Sequence, residues 1–187
     1  MTTTFEHAER VQVKFFAERA PETTEFIPIF HAWIRDKRIQ GDTLVDVADY
    51  SHVADGPGVM LVGHGCDWYL DEHHGRRGLL FSRKRAFEGD FKGRFEDALR
   101  QAAQACIELE KDVDASFSTT ELLIRVPDRL HVSNTDEDFE AIAPLLKASI
   151  AAIAGAEPTL EREGEARQCL TVRARFDAPP KLQDFTA

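Results

Sequence analysis

The chain has 187 residues, of which 43% are hydrophobic and 30% charged, and it carries a formal net charge of −10. That length suits a single domain over residues 1–187, able to bury roughly 70% of the surface its unfolded chain exposes without a disulfide or structural metal. The acidic balance excludes broad binding to nucleic acid or to anionic membranes, because such a surface repels phosphates.

Residues 1–10 read as a loose polar lead-in rather than a secretory leader, since no basic segment precedes an apolar core. Val11 to Phe16 then forms a short β-branched and aromatic run, expected to be a strand. Thr23 or Thr24 can cap a helix through Phe26, Phe30, Trp33 and Ile34, with Pro28 tolerable only in its first turn. Leu44 to Val53 and Gly58 to Asp71 read as strands joined by a turn at Asp55-Gly56-Pro57-Gly58, and a second turn at His74 to Gly78 leads to a strand from Leu79 to Ala86.

Asp90 opens the clearest helix, whose apolar stripe runs Phe91, Phe95, Leu99, Ala102, Cys106, Leu109, Val113. Leu122 to Val126 is a strand stopped by Pro127. Thr135 followed by Asp138 caps a helix through Phe139, Ile142, Leu146, Ile150 and Ile153 that closes at Gly155, with Pro144 expected to kink or split it. Cys169 to Phe176 alternates as a half-exposed strand, and residues 179–187 read as a loose tail. The order β-α-β-β-β-α-β-α-β predicts an α/β (α+β) domain: one sheet of about six or seven strands, a ferredoxin-like core with additions, and helices mainly on one face. Cys66, Cys106 and Cys169 are widely spaced with no C-x-x-C pair, which fits reduced thiols in a cytoplasmic protein.

Polar residues of catalytic type concentrate between Asp46 and Arg85. Which of them meet depends on hairpin register, because a slip of one residue exchanges the faces. With the turn at Ala54 to Pro57, Val53 faces Gly58, Val47 faces His64, and Asp49 sits diagonal to His64 on an otherwise apolar side. Shortening the turn to pair Ala54 with Gly58 instead gathers Asp46, Tyr50, His52, His64 and Cys66. The first register segregates polar from apolar better and is preferred. Asp49 and His64 are then the candidate catalytic pair, a carboxylate orienting an imidazole for acid–base chemistry; a satisfied core pair is the plainer reading.

Asp46, Tyr50, His52, Asp71, Arg83 and Lys84 are candidate ligand-binding residues. Arg83, Lys84 and Arg85 with Arg76 and Arg77 form a basic cluster suited to phosphate or carboxylate, or else a charged edge strand kept from aggregating. Histidine and carboxylate are also metal ligands, but H-E-x-x-H is absent, as is H-x-E with P-C-x-x-C, so no metal site is assigned and the cofactor is left unknown. Cys66 beside His64 could suggest a thiol nucleophile, although a lone cysteine is more often a buried hydrophobe. The glycines of Gly56-Pro57-Gly58 and Gly63-His64-Gly65 fit no phosphate-binding loop.

The block Asp46-Val47-Ala48-Asp49-Tyr50-Ser51-His52-Val53, with Gly56-Pro57-Gly58-Val59, Leu61-Val62-Gly63-His64, Gly78-Leu79-Leu80, Arg83-Lys84 and Asp128-Arg129-Leu130, resembles a family of uncharacterised bacterial proteins with no assigned activity. The resemblance implies a free-standing bacterial cytosolic protein and transfers no residue role. The expected function is a cytosolic ligand- or partner-binding protein with a polar site on the central β-meander. Its expected partners are a small anionic ligand or a second copy of the chain, not nucleic acid or membrane. The alternative is a hydrolase-like enzyme, acid–base or metal-assisted, using Asp49 and His64.

Overall fold

The computed structural model describes residues 5–53, 56–84 and 89–186, leaving aside the side chain of His74. Residues 1–4 of the expected lead-in, Ala54 and Asp55 of the expected turn, Arg85 and Ala86 of the expected strand and Ala187 of the expected tail lie outside the described residues. Strand β1 (Gln12–Arg19) turns Val13 and Phe15 to one side and Gln12, Lys14 and Phe16 to the other, as strand alternation requires. Helix α1 (Phe26–Asp36) follows a short 3-10 turn; Pro28 falls in its first turn, where a missing N–H breaks no intrahelical bond. Phe26, Phe30 and Trp33, three and four residues apart, form its buried stripe.

Four antiparallel strands come next, β2 (Leu44–Tyr50), β3 (Gly58–Gly63), β4 (Cys66–Asp71) and β5 (Gly78–Arg83). Helix α2 (Phe91–Asp112) is capped by Asp90, whose carboxylate accepts the Gly93 amide at 2.8 Å. Strand β6 (Ser116–Val126) leads to helix α3 (Asp136–Ala154), capped by the Thr135 hydroxyl and closed by Gly155 in the left-handed conformation. Strands β7 (Thr159–Glu163) and β8 (Leu170–Arg175) complete the sheet.

The α+β class holds, but among the described residues the sheet has eight strands in the order β2-β3-β4-β5-β1-β6-β8-β7, every neighbouring pair antiparallel. Two features raise the count above the expected six or seven. The run Gly58 to Asp71 breaks into a hairpin, because Val62 pairs with Asp67 and leaves His64-Gly65 as a two-residue turn. Strand β7 has Leu160 as its only apolar residue, so an edge strand formed there without a hydrophobic pattern. The ferredoxin-like strand order is not adopted: β1 lies between β5 and β6, antiparallel to both. Instead β1-α1 with β4-β5, and β6-α3 with β7-β8, form two halves of similar plan that meet at the β1–β6 pair. Helix α3 runs unsplit through Pro144, held by buried Ile142, Leu146 and Ile150.

One face of the sheet carries the core. Val59, Leu61, Trp68, Phe81, Val13, Ile124 and Val172 pack there against Phe30, Trp33, Phe95, Leu99 and Leu146 of the helices. Described residues of the expected lead-in and tail pack into this core. Ala8 is buried, and the Arg94 guanidinium donates to the carbonyls of Ala8 at 3.1 Å and Glu6 at 2.9 Å. Leu182–Thr186 forms a 3-10 turn that places Phe185, with no exposed surface, edge-on to Phe15 and Phe176. An aromatic ring that closes a core gap outweighs the entropy of a tail. No helix among the described residues is long and apolar enough to cross a membrane.

Candidate functional site

The β2–β3 register differs from both expected alignments. Tyr50 pairs with Gly58, Asp49 with Val59 and Val47 with Leu61, and a bulge at Val45 shifts the ladder before Leu44 meets Gly63. Strand β2 therefore ends at Tyr50, three residues earlier than expected. The cause is local: the Asp49 carboxylate accepts the Ser51 amide at 2.9 Å and the Ser51 hydroxyl at 2.6 Å, a side-chain turn that competes with the ladder. These same bonds hold the Asp49 carboxyl below its ordinary value. His64 sits in the β3–β4 turn, five positions along the chain from the partner of Asp49 and so roughly 16 Å away at strand rise. The expected Asp49–His64 pair does not form.

Most of the expected ligand-binding residues are engaged with the protein or dispersed at its surface. Asp46, Tyr50 and His52 are exposed along and beyond the β2 edge. Arg83 pairs with Asp97 of α2, and Lys84 reaches Asp67 and the Gly63 carbonyl, each at 2.7 Å. The Cys66 thiol lies against Asp42, whose carboxylate also accepts the amides of Gly65 and Cys66, each at 2.9 Å. Burial and the adjacent Asp42 push that thiol far up, so Cys66 stays protonated and is no nucleophile. Among the described residues no three His, Cys, Asp or Glu side chains gather as metal ligands.

Asp71, itself engaged by Lys14, leads to the other face of the sheet, on which no helix packs among the described residues. Register aligns Leu80, Lys14, Leu123 and Arg173 in one row across β5, β1, β6 and β8. The next row holds Ser82, Gln12, Arg125 and Thr171. Over these rows lies a pocket of about 150 Å3, floored by Phe16, Leu80 and Leu123. The β4–β5 loop walls it on one side with Asp71 and Arg76, and the β7–β8 turn on the other with Glu163 and Gln168.

Lys14 is 1% exposed, on a face that no helix covers. Its ammonium pairs with the Asp71 carboxylate and donates to the carbonyls of Asp71 at 3.2 Å and Arg76 at 2.6 Å. All three of its protons are thus engaged, which makes it a structural cation tying down the β4–β5 loop, not a nucleophilic amine. Burial draws its pKa down, and Asp71 opposes that shift. Arg76 stacks on Phe16 at 3.9 Å from the ring centroid and pairs with Glu121. Arg173 approaches the same ring at 4.8 Å, forks onto Glu163 with bonds of 3.0 and 2.7 Å, and reaches Glu121 at 3.3 Å. Lys14, Arg76 and Arg173 are therefore matched by Asp71, Glu121 and Glu163. Half-buried Arg125 lines the pocket too, and among the described residues no carboxylate pairs with it. The arrangement leaves one uncompensated positive charge beside an apolar floor.

Sequence reasoning placed Asp71 and Arg76 in a polar region but missed Lys14, Phe16, Arg125 and Arg173. A signal existed: Lys14 within Val11-Gln12-Val13-Lys14-Phe15-Phe16, and Arg125 within Leu122-Leu123-Ile124-Arg125-Val126, are lone cations in apolar strands. No model of a known protein family matches the chain, and comparison with curated proteins returns no relative.

Proposed function

We propose that this protein binds a small organic anion on the open face of its sheet, with Arg125 as the anchoring cation. The observation that carries the reading is the unmatched guanidinium of Arg125 lining a pocket in a chain of net charge −10. A partly desolvated arginine beside apolar side chains gains more from a carboxylate or phosphate partner than one in open water. Lys14 and Asp71 supply the support, holding the loop that walls the pocket. A small ligand fits better than a second copy of the chain at the β2 edge. There the Val45 bulge and the carboxylates of Asp46 and Asp49 hinder edge-to-edge pairing. The reading keeps the protein in the cytoplasm, where its three spaced cysteines remain reduced.

A thermal-shift panel of small carboxylates and inorganic phosphate, run on wild type and Arg125→Gln, tests this. At least one anion raises the wild-type melting temperature, and the response is lost in Arg125→Gln. Equal responses in the two proteins, or none in wild type, would overturn the assignment.

A further inference from the structure

The geometry points to the ligand class: a monocarboxylate with a compact apolar body, and not a phosphate or a dicarboxylate. This rests on the anion-binding reading above and specifies its occupant. Three features of the pocket set the class.

The first is charge. Asp71, Glu121 and Glu163 are already spent on Lys14, Arg76 and Arg173, so Arg125 offers a single compensating charge. The carboxylates of Asp71 and Glu163 also line the pocket, and a second negative charge on the ligand would face them without a cation of its own. The hydroxyl nearest Arg125 across the sheet gives no further donor, because Thr171 already donates to the Cys169 carbonyl at 3.1 Å. A phosphate would therefore find one uncompensated guanidinium, beside the Gln168 amide and His73 of the same lining, where it needs several charged donors.

The second is the floor. Phe16, Leu80 and Leu123 present carbon to the ligand, and burying apolar surface there adds affinity that a fully hydrated anion cannot use. The third is size. At about 150 Å3 the pocket is smaller than those that hold drug-sized molecules, and it suits a body such as a phenyl ring or a short alkyl chain.

The charge argument yields a specificity change. Glu163→Gln removes the carboxylate on which Arg173 forks and leaves Arg76 and Arg173 to share Glu121, so a second positive charge in the same pocket goes uncompensated. Preference then moves toward doubly charged ligands.

Calorimetric titration of the full chain with benzoate, hexanoate, succinate and inorganic phosphate tests the inference. In wild type, benzoate or hexanoate binds roughly tenfold or more tightly than succinate or phosphate, and Arg125→Gln loses about tenfold or more of that affinity, the value of one charge-assisted contact. In Glu163→Gln the ratio of succinate to benzoate affinity rises by about tenfold on the same scale. If phosphate or succinate binds wild type as tightly as the monocarboxylates and Arg125→Gln abolishes it, the monocarboxylate class is wrong while anion binding stands. If none of the four anions binds wild type, anion binding itself falls with it. The wild-type ratio decides the class even if Glu163→Gln fails to fold.

Discussion

Lys14 on β1 and Asp71 at the end of β4 form an ion pair on the helix-free face of the sheet, with their side chains 2% and 13% exposed. Removing the cation strands a largely buried carboxylate and two backbone carbonyls. Lys14→Met should therefore cost about 3 kcal/mol, in the range for breaking such a pair. The double variant Lys14→Met/Asp71→Leu should recover part of that loss, since neither charge is then left alone. Urea denaturation of the singles and the double gives the coupling. A double variant as unstable as the sum of the two singles would show that the pair does not hold this face.

Tyr69, on β4, donates its hydroxyl to Asp67 at 3.2 Å. Burial and the Asp67 charge push its pKa from about 10 up to about 12. The unfolded chain releases the phenolic proton near 10 while the folded chain keeps it until near 12, so the folded state binds more protons between those values. Stability should consequently fall with pH across that window, and fall less in Tyr69→Phe. Chemical denaturation of both proteins at pH 10 and pH 12 measures the difference. Identical slopes would mean that Tyr69 titrates as an exposed tyrosine.

Asp42 fastens the α1–β2 connection to the β3–β4 turn through the amides of Gly65 and Cys66 and the Cys66 thiol. Burial alone would raise its carboxyl, yet these hydrogen bonds and the Thr43 amide leave it below its ordinary value. Its contribution is present above the unfolded carboxyl range and disappears as pH falls through the lowered value. Asp42→Ala should cost about 1–3 kcal/mol at neutral pH, with less difference from wild type in acid. A difference that grows on acidification would contradict the assignment.

The same contact protects Cys66 chemically. Cys66 and Cys106 are buried with thiols shifted up, whereas Cys169 is half-buried. A thiol reagent at neutral pH should label Cys169 first in the native protein, and the other two only on unfolding. Peptide mapping of the labelled protein reads this directly; early modification of Cys66 would count against the Asp42 contact.

Phe185, fully buried between Phe15 and Phe176, anchors the chain's C-terminal turn. Phe185→Ala should cost about 3–5 kcal/mol, as for other large cavities in a core. A thermal melt close to that of wild type would mean that the turn contributes little to the core.

Local pattern determined much of this protein. Asp90, Thr135 and Gly155 mark helix ends, the stripes of α1 and α2 mark buried faces, and the α+β class follows from the order of such segments. Each of those features is a short-range property, fixed by side chains within a turn or two of helix. The site was legible only in Asp71 and Arg76. Its register depended on an Asx-type turn at Asp49 and a bulge at Val45, which hydrophobic alternation does not encode. Its charge depended on which of Lys14, Arg76, Arg125 and Arg173 found a carboxylate across β1, β6 and β8. Those strands are distant in sequence, and only closing the sheet decides which cation is left over.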